Sequence, residues 1–195
     1  MKVGARKLEQ DAPFKKSIIA IVFKFLNCEL DTVKRFTRVG MDVIEEKIAS
    51  LRISLPIPPK PAGSYIPAVR TGNLVFVSGQ IPIKDGKVEF QGKVPSDVPV
   101  EVAQNAARLC IINVLAQLKA EIGTLDKVVK IVRVSGFVNS TPDFADQPRI
   151  INAASDLLFE IFGESGKHAR VAVGVASLPL NSTVEIDLVA EVSQA

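Results

Sequence analysis

Residues 169–192 read ARVAVGVASLPLNSTVEIDLVAEV, and this stretch decides the fold. Two runs dominated by Val and Ile, Ala169 to Leu178 and Thr183 to Val192, are interrupted by Pro179, Leu180 and Asn181. Such spacing predicts two β-strands joined by a turn. A charged residue inside either run needs a reason to be there. Arg170 opens the first run, and Glu185 sits within the second, two positions before Asp187. Alternate residues of a strand share a face, so both carboxylates are expected to point the same way.

Upstream, the periodicity changes. Asp143 to Phe162 predicts a helix with Phe144, Ile151, Ala154, Leu158 and Ile161 facing inward and Pro148 near its first turns. Lys127 to Val138 (KVVKIVRVSGFV) predicts a strand. Before it, a long helix is predicted from a cap at Ser96 or Asp97, with Pro99 in its first turn, to about Ile122, and Gly123 stops it. Val102, Ala106, Leu109, Asn113 and Ala116 recur along this helix at helical spacing. Tyr65 to Arg70 and Leu74 to Ser78 flank Thr71, Gly72 and Asn73 as a hairpin. The turn Lys84 to Lys87 (KDGK) then precedes a third strand, Val88 to Lys93.

The predicted order is βββαβαββ. Two helices returning to one sheet indicate an α+β sandwich, whose second sheet face must be covered or paired with another subunit. Residues 63–195 form this domain. Residues 41–62 lead into it. They comprise a short helix, with Asp42 as cap, Glu45 three residues on and Val43, Ile44, Ile48 and Leu51 on one face, then a linker with four prolines, Ser54 to Ala62 (SLPIPPKPA).

Residues 1–40 are a basic extension, either an amphipathic segment or sequence foreign to the natural protein. They carry nine Lys or Arg and four Asp or Glu, which leaves 15 basic and 17 acidic residues, a balance of −2, for 41–195. Nucleic-acid binders concentrate positive charge on the folded domain, so DNA is excluded as a partner and RNA is disfavoured. Ser17 to Leu26 (SIIAIVFKFL) is apolar but holds Lys24 and spans only about half the ~20 residues of a membrane helix. No stable membrane insertion is expected, and no signal-peptide cleavage site follows it.

Composition excludes disorder and small disulfide-bonded scaffolds: 47% of the 195 residues are hydrophobic and 23% charged. Two cysteines, Cys28 and Cys110, and one histidine, His168, cannot build a Cys/His zinc cluster, and a reducing compartment, the cytoplasm, is expected. Cys110, mid-helix among apolar residues, reads as a small core residue. Gly163, Gly166 and Lys167 (GESGK) lack the spacing and the hydroxyl of a phosphate loop. With no G-x-S-x-G elbow and one imidazole, a hydrolytic triad is disfavoured, and His168 reads as a surface or subunit-contact residue.

The remaining polar residues lie at strand ends: Ser78, Gly79 and Gln80 within SGQIP, Arg170, and Glu185. Together with GSY at 63–65, Asn152, Ala169 to Pro179 and VEID at 184–187, they resemble the RidA family, also called YjgF or endoribonuclease L-PSP. The resemblance covers about Pro61 to Val192. The helix with its proline-rich lead, Met41 to Ala62, and the phrases GFVNSTPDFADQP and HARVAVGVASLP are similar to a less studied branch of that superfamily.

The resemblance implies a chorismate-mutase-like homotrimer with ligand sites in the clefts between subunits. It also implies cofactor-independent, metal-free hydrolysis of reactive enamines and imines, such as 2-aminoacrylate, to 2-keto acids and ammonia. By position, Arg170 would bind the substrate carboxylate, for which a guanidinium fork is suited, and Glu185 would hold the attacking water. Tyr65 would form an aromatic wall, Asn152 a polar contact across the cleft, and Ser78 and Gln80 a lining turn. Many relatives carry a cysteine where this chain has Ala172. The family's other name suggests RNA cleavage, and a regulatory trimer that binds ligand without turnover is a further alternative.

Overall fold

A computed structural model describes residues 43–58 and 64–194. The extension at 1–40, the Asp42 cap and the end of the proline-rich lead fall outside the described residues. Among the described residues three α-helices, α1 (Val43–Ser50), α2 (Val100–Ile122) and α3 (Gln147–Phe162), accompany seven strands. The strands are β1 (Ala68–Thr71), β2 (Leu74–Gln80), β3 (Ile83–Lys84), β4 (Lys87–Val88), β5 (Val128–Asn139), β6 (Ala169–Val175) and β7 (Val184–Val192).

Five strands form one sheet in the order β1-β2-β7-β5-β6. All neighbours are antiparallel except β5 and β6, which α3 connects in parallel. Helices α2 and α3 cover one face. The alternation in β7 shows the consequence: Val184, Ile186, Leu188, Ala190 and Val192 are fully buried against the helices, while the residues between them are only half-buried. The α+β class holds, and among the described residues no element covers the sheet's second face. Val69 and Phe76, paired on β1 and β2, and Val173 on β6 are exposed. Among the described residues β6 is an edge strand with no outer neighbour.

Several expectations need correction. The third strand of the meander, Val88 to Lys93, does not join the sheet. Asp85 and Gly86, both at positive φ, turn a separate two-stranded ribbon, β3 with β4. The chain beyond it spends its backbone groups on the ends of other elements. Gly92 N–H donates to Asn181 O, Val94 N–H to Asn139 O, and Phe90 O accepts from Thr183 N–H. Gly92 at φ 114° and Pro95, which has no N–H, end any ladder there.

The long helix starts at Val100, with Pro99 as its cap, because a residue preceding proline is held out of the helical region. The Asp97 carboxylate accepts from Lys93 N–H at 2.8 Å instead of capping. Likewise α3 begins at Gln147, four residues late: a helix running from Asp143 would drive the Pro148 ring into the carbonyl of Phe144. Val102 on α2 and Val43 on α1 face solvent rather than the core. The first strand begins at Ala68, which leaves Tyr65 in the preceding loop.

Glu45 pairs with Lys119 of α2 at 2.6 Å, and the α1 N-terminus receives Asp126, whose carboxylate accepts from Ile44 N–H. No described helix is long and apolar enough to cross a membrane.

Candidate functional site

The site residues fall into two groups. The first lies where β6 meets α3. Arg170 pairs with Val134, whose other neighbour is Leu188, so all three side chains share the helix-covered face. There Arg170 Nη1 donates to Asn152 Oδ1 at 2.8 Å and to Ser155 Oγ at 3.1 Å. Asn152 and Ser155 are three residues apart on α3 and therefore neighbours on its surface. Both contacts consume one nitrogen of the guanidinium. Beside it opens a groove of about 470 Å³, lined by Ser155, Phe159, Lys167, His168 and Arg170.

His168 is not a loose surface residue. Its Nδ1 lies 2.7 Å from Gly166 O and its Nε2 lies 3.1 Å from Ser155 Oγ. Burial pushes the imidazole pKa down, the Gly166 carbonyl opposes this, and the Arg170 charge adds to the depression. Gly166 is held by sterics: a Cβ there would run into the backbone of Leu158 and Phe159 on α3.

The second group lies on the open face. Glu185 pairs with Phe137, which pairs in turn with Val173. Asp187 pairs with Ser135, so both carboxylates do share one face. A bulge in β2 makes room for Glu185. Register shifts between Val77 and Gln80, and Ser78 and Gly79 absorb the extra residue. The Glu185 carboxylate occupies the space a side chain at Gly79 would need, so any Cβ there must displace the carboxylate; the constraint is volume, since the φ of Gly79 is not positive.

Gln80 Nε2 donates to the carbonyls of Ser78 and Gly79 at 3.0 and 3.1 Å, fastening the bulge. Ser78 donates through its N–H to Pro67 O and through Oγ to Ile66 O, which anchors the loop carrying Tyr65. Tyr65 itself is exposed. Burial, reinforced by the Asp187 charge, raises the Glu185 pKa above the ordinary glutamate range. A half-buried carboxylate with a raised pKa can hold a water molecule and accept its proton.

The structure thus brings Arg170 to Asn152 and Glu185 to the bulge at Gly79, and it puts Arg170 and Glu185 on opposite faces of one subunit's sheet. Gln80, paired with Ile186 and accepting from Gln117 of α2 at 3.5 Å, braces the bulge from the helix-covered side. Ser155 was missed by sequence reasoning. Its signal was its spacing, one helical turn beyond Asn152.

The family model described as YjgF/chorismate mutase-like, a description that also carries the endoribonuclease name, matches residues 45–192. Protein TCP17 of Trypanosoma cruzi is 40% identical over 151 residues, covering 77% of this chain and 94% of its own. The 2-iminobutanoate/2-iminopropanoate deaminase of Dermatophagoides farinae is 35% identical over 135 residues, covering 69% and 91%. Among solved structures, the protein Atu1372 of Agrobacterium tumefaciens, described as of unknown function, has a TM-score of 0.73. It is 46% identical and covers 78% of this chain and 94% of its own.

Proposed function

Because the chain belongs to the YjgF/chorismate mutase-like family, we propose that it hydrolyses small 2-imino and 2-enamino acids to 2-keto acids and ammonia. The site would lie between neighbouring subunits of a homotrimer. A relative at 35% identity bears the name of that reaction class. The observation that carries the reading is the tethered Arg170, whose Nη1 is held by two acceptors beside an open groove. A guanidinium fixed at one end is prepared to grip a carboxylate with the N–H groups that remain.

The mechanism follows from the two groups. Arg170 binds the substrate carboxylate and so positions the adjacent imine carbon. Glu185 of the neighbouring subunit holds a water molecule and takes its proton as the oxygen adds to that carbon. That proton passes to the imine nitrogen to give a carbinolamine. A second proton moves from its hydroxyl to the nitrogen as the C–N bond breaks, and a keto acid and ammonia leave. An enamine enters the same path after a proton moves from its nitrogen to C3. One water is consumed and nothing is oxidised. The raised Glu185 pKa suits a group that accepts and returns a proton. Tyr65, Ser78 and Gln80, around the bulge whose Gly79 abuts Glu185, would wall the substrate, and Asn152 keeps Arg170 in place.

RNA cleavage is not the reading drawn, because residues 41–195 carry a balance of −2. The buried free thiol of Cys110 suits the reducing environment of the cytoplasm.

The test is keto-acid release from enzymatically generated 2-aminoacrylate. Arg170→Ala removes a charge-assisted contact worth about 3 kcal/mol, so kcat/KM should fall about 100-fold or more. Equal rates for wild type and variant would end the proposal.

A further inference from the structure

With the imidazole neutral, the hydrogen-bond inventory around Arg170 has one consistent solution. A carbonyl oxygen only accepts, so the His168 nitrogen 2.7 Å from Gly166 O must carry a proton. In a neutral imidazole the other nitrogen is then bare. It lies 3.1 Å from Ser155 Oγ, and the hydroxyl must donate to it. That turns the lone pairs of Ser155 toward its remaining neighbour, Arg170 Nη1 at 3.1 Å, which can only donate. The chain of donors runs in one direction, from Arg170 to Ser155 to His168 to the Gly166 carbonyl.

From this geometry we infer that Ser155 and His168 are positioning residues, which hold the Arg170 guanidinium in the orientation that receives an anionic ligand. The inference deepens the proposed function and rests on it for the identity of the ligand. Asn152 alone would leave the guanidinium free to swing about a single contact. Two acceptors one helical turn apart fix it, and His168 sets the direction in which the second accepts.

The surrounding charges favour the neutral imidazole that the arrangement needs. Arg170 faces His168 from β6, and Lys167 from the adjoining turn, where Glu164 pairs with it at 2.8 Å. Asp156 lines the groove from α3. Burial lowers the imidazole pKa and Arg170 adds to this against the opposing Gly166 carbonyl, which favours the neutral form.

His168 is the only histidine in the chain, so its imidazole nitrogens give one pair of signals in nitrogen-15 spectra of the full-length protein. The expected result is a proton on Nδ1, a bare Nε2, a titration midpoint below that of free histidine, and an Nε2 signal displaced by Ser155→Ala. A proton on Nε2, or an Nε2 signal indifferent to Ser155→Ala, overturns the inference whatever the activity.

Kinetics form the second arm. Ser155→Ala and His168→Ala should each raise KM for the imine acid, and the Kd for 2-oxobutyrate, about fivefold to tenfold with kcat nearly unchanged. His168→Gln, whose amide oxygen can accept from Ser155, should recover most of the loss. Melting temperatures identify any variant that fails to fold, and the imidazole spectrum of wild type decides such a case. Unchanged KM and Kd in an active enzyme would overturn the inference and leave the deaminase reading intact. No hydrolysis by wild type, with 2-oxobutyrate binding still weakened by both variants, would sink the deaminase reading alone.

Discussion

Arg170 and Glu185 face opposite sides of the same sheet, and this makes subunit mixing a direct test of where the reaction occurs. Suppose each site takes Arg170 from one protomer and Glu185 from its neighbour around a closed ring. Trimers of Arg170→Ala alone, or of Glu185→Gln alone, then contain no intact site. In trimers assembled at random from equal amounts of the two variants, a site is intact when its arginine side comes from Glu185→Gln and its glutamate side from Arg170→Ala. Each condition is met about half the time, so about a quarter of all sites are wild type in composition. Activity should therefore rise from near zero in either parent to about 25% of wild type after unfolding, mixing and refolding, or after co-expression with two affinity tags. Keto-acid release is the assay, and tandem purification of doubly tagged trimers confirms mixing. If mixed trimers stay as inactive as their parents, the two residues act within one subunit and the geometric reasoning is wrong.

Two further outcomes are expected. The folded chain binds the Glu185 proton more tightly than the unfolded chain, because burial and Asp187 raise its pKa. Folding stability is therefore lost as pH rises from the ordinary glutamate range through that raised value. Glu185→Gln should unfold at higher denaturant than wild type at about pH 7, with the difference shrinking toward acid pH while activity is absent throughout. A difference independent of pH, or of opposite sign, would refute the assignment. In Gly79→Ala, the new Cβ would stand 2.9 Å from Glu185 Cδ and 3.1 Å from its Cγ, too close for carbon atoms. The flexible carboxylate yields before the backbone does, and a shift of about 1 Å should lower kcat about 100-fold with little change in melting temperature. Wild-type kcat would show that Glu185 has no positional role.

The legible parts of the fold were those set by local pattern. Apolar runs with turn residues between them marked β2, β5, β6 and β7, and helical spacing marked α2 and α3. Boundaries shifted where proline acted on its neighbours, at Val98 and at Phe144. The third strand failed because Val88 to Lys93 has strand-like composition, yet its backbone groups find partners at the ends of β5 and β7, a competition that composition does not register. In the site, Arg170 and Glu185 stood out as charges inside apolar strands. Ser155 did not, since serine on a helix is unremarkable until its neighbours are known.

What the sequence by itself determined is the class of fold, the two charged residues and the shared face of Glu185 and Asp187, because each follows from periodicities of two or 3.6 residues along one segment. Only the tertiary structure decided that Arg170 and Glu185 face apart, that the bulge at Ser78 and Gly79 makes space for a carboxylate, and that a histidine is wired through a serine to the arginine. These depend on the register between strands and on which helix lies over which edge. Contacts between segments far apart in the chain set both, and no local periodicity carries that information.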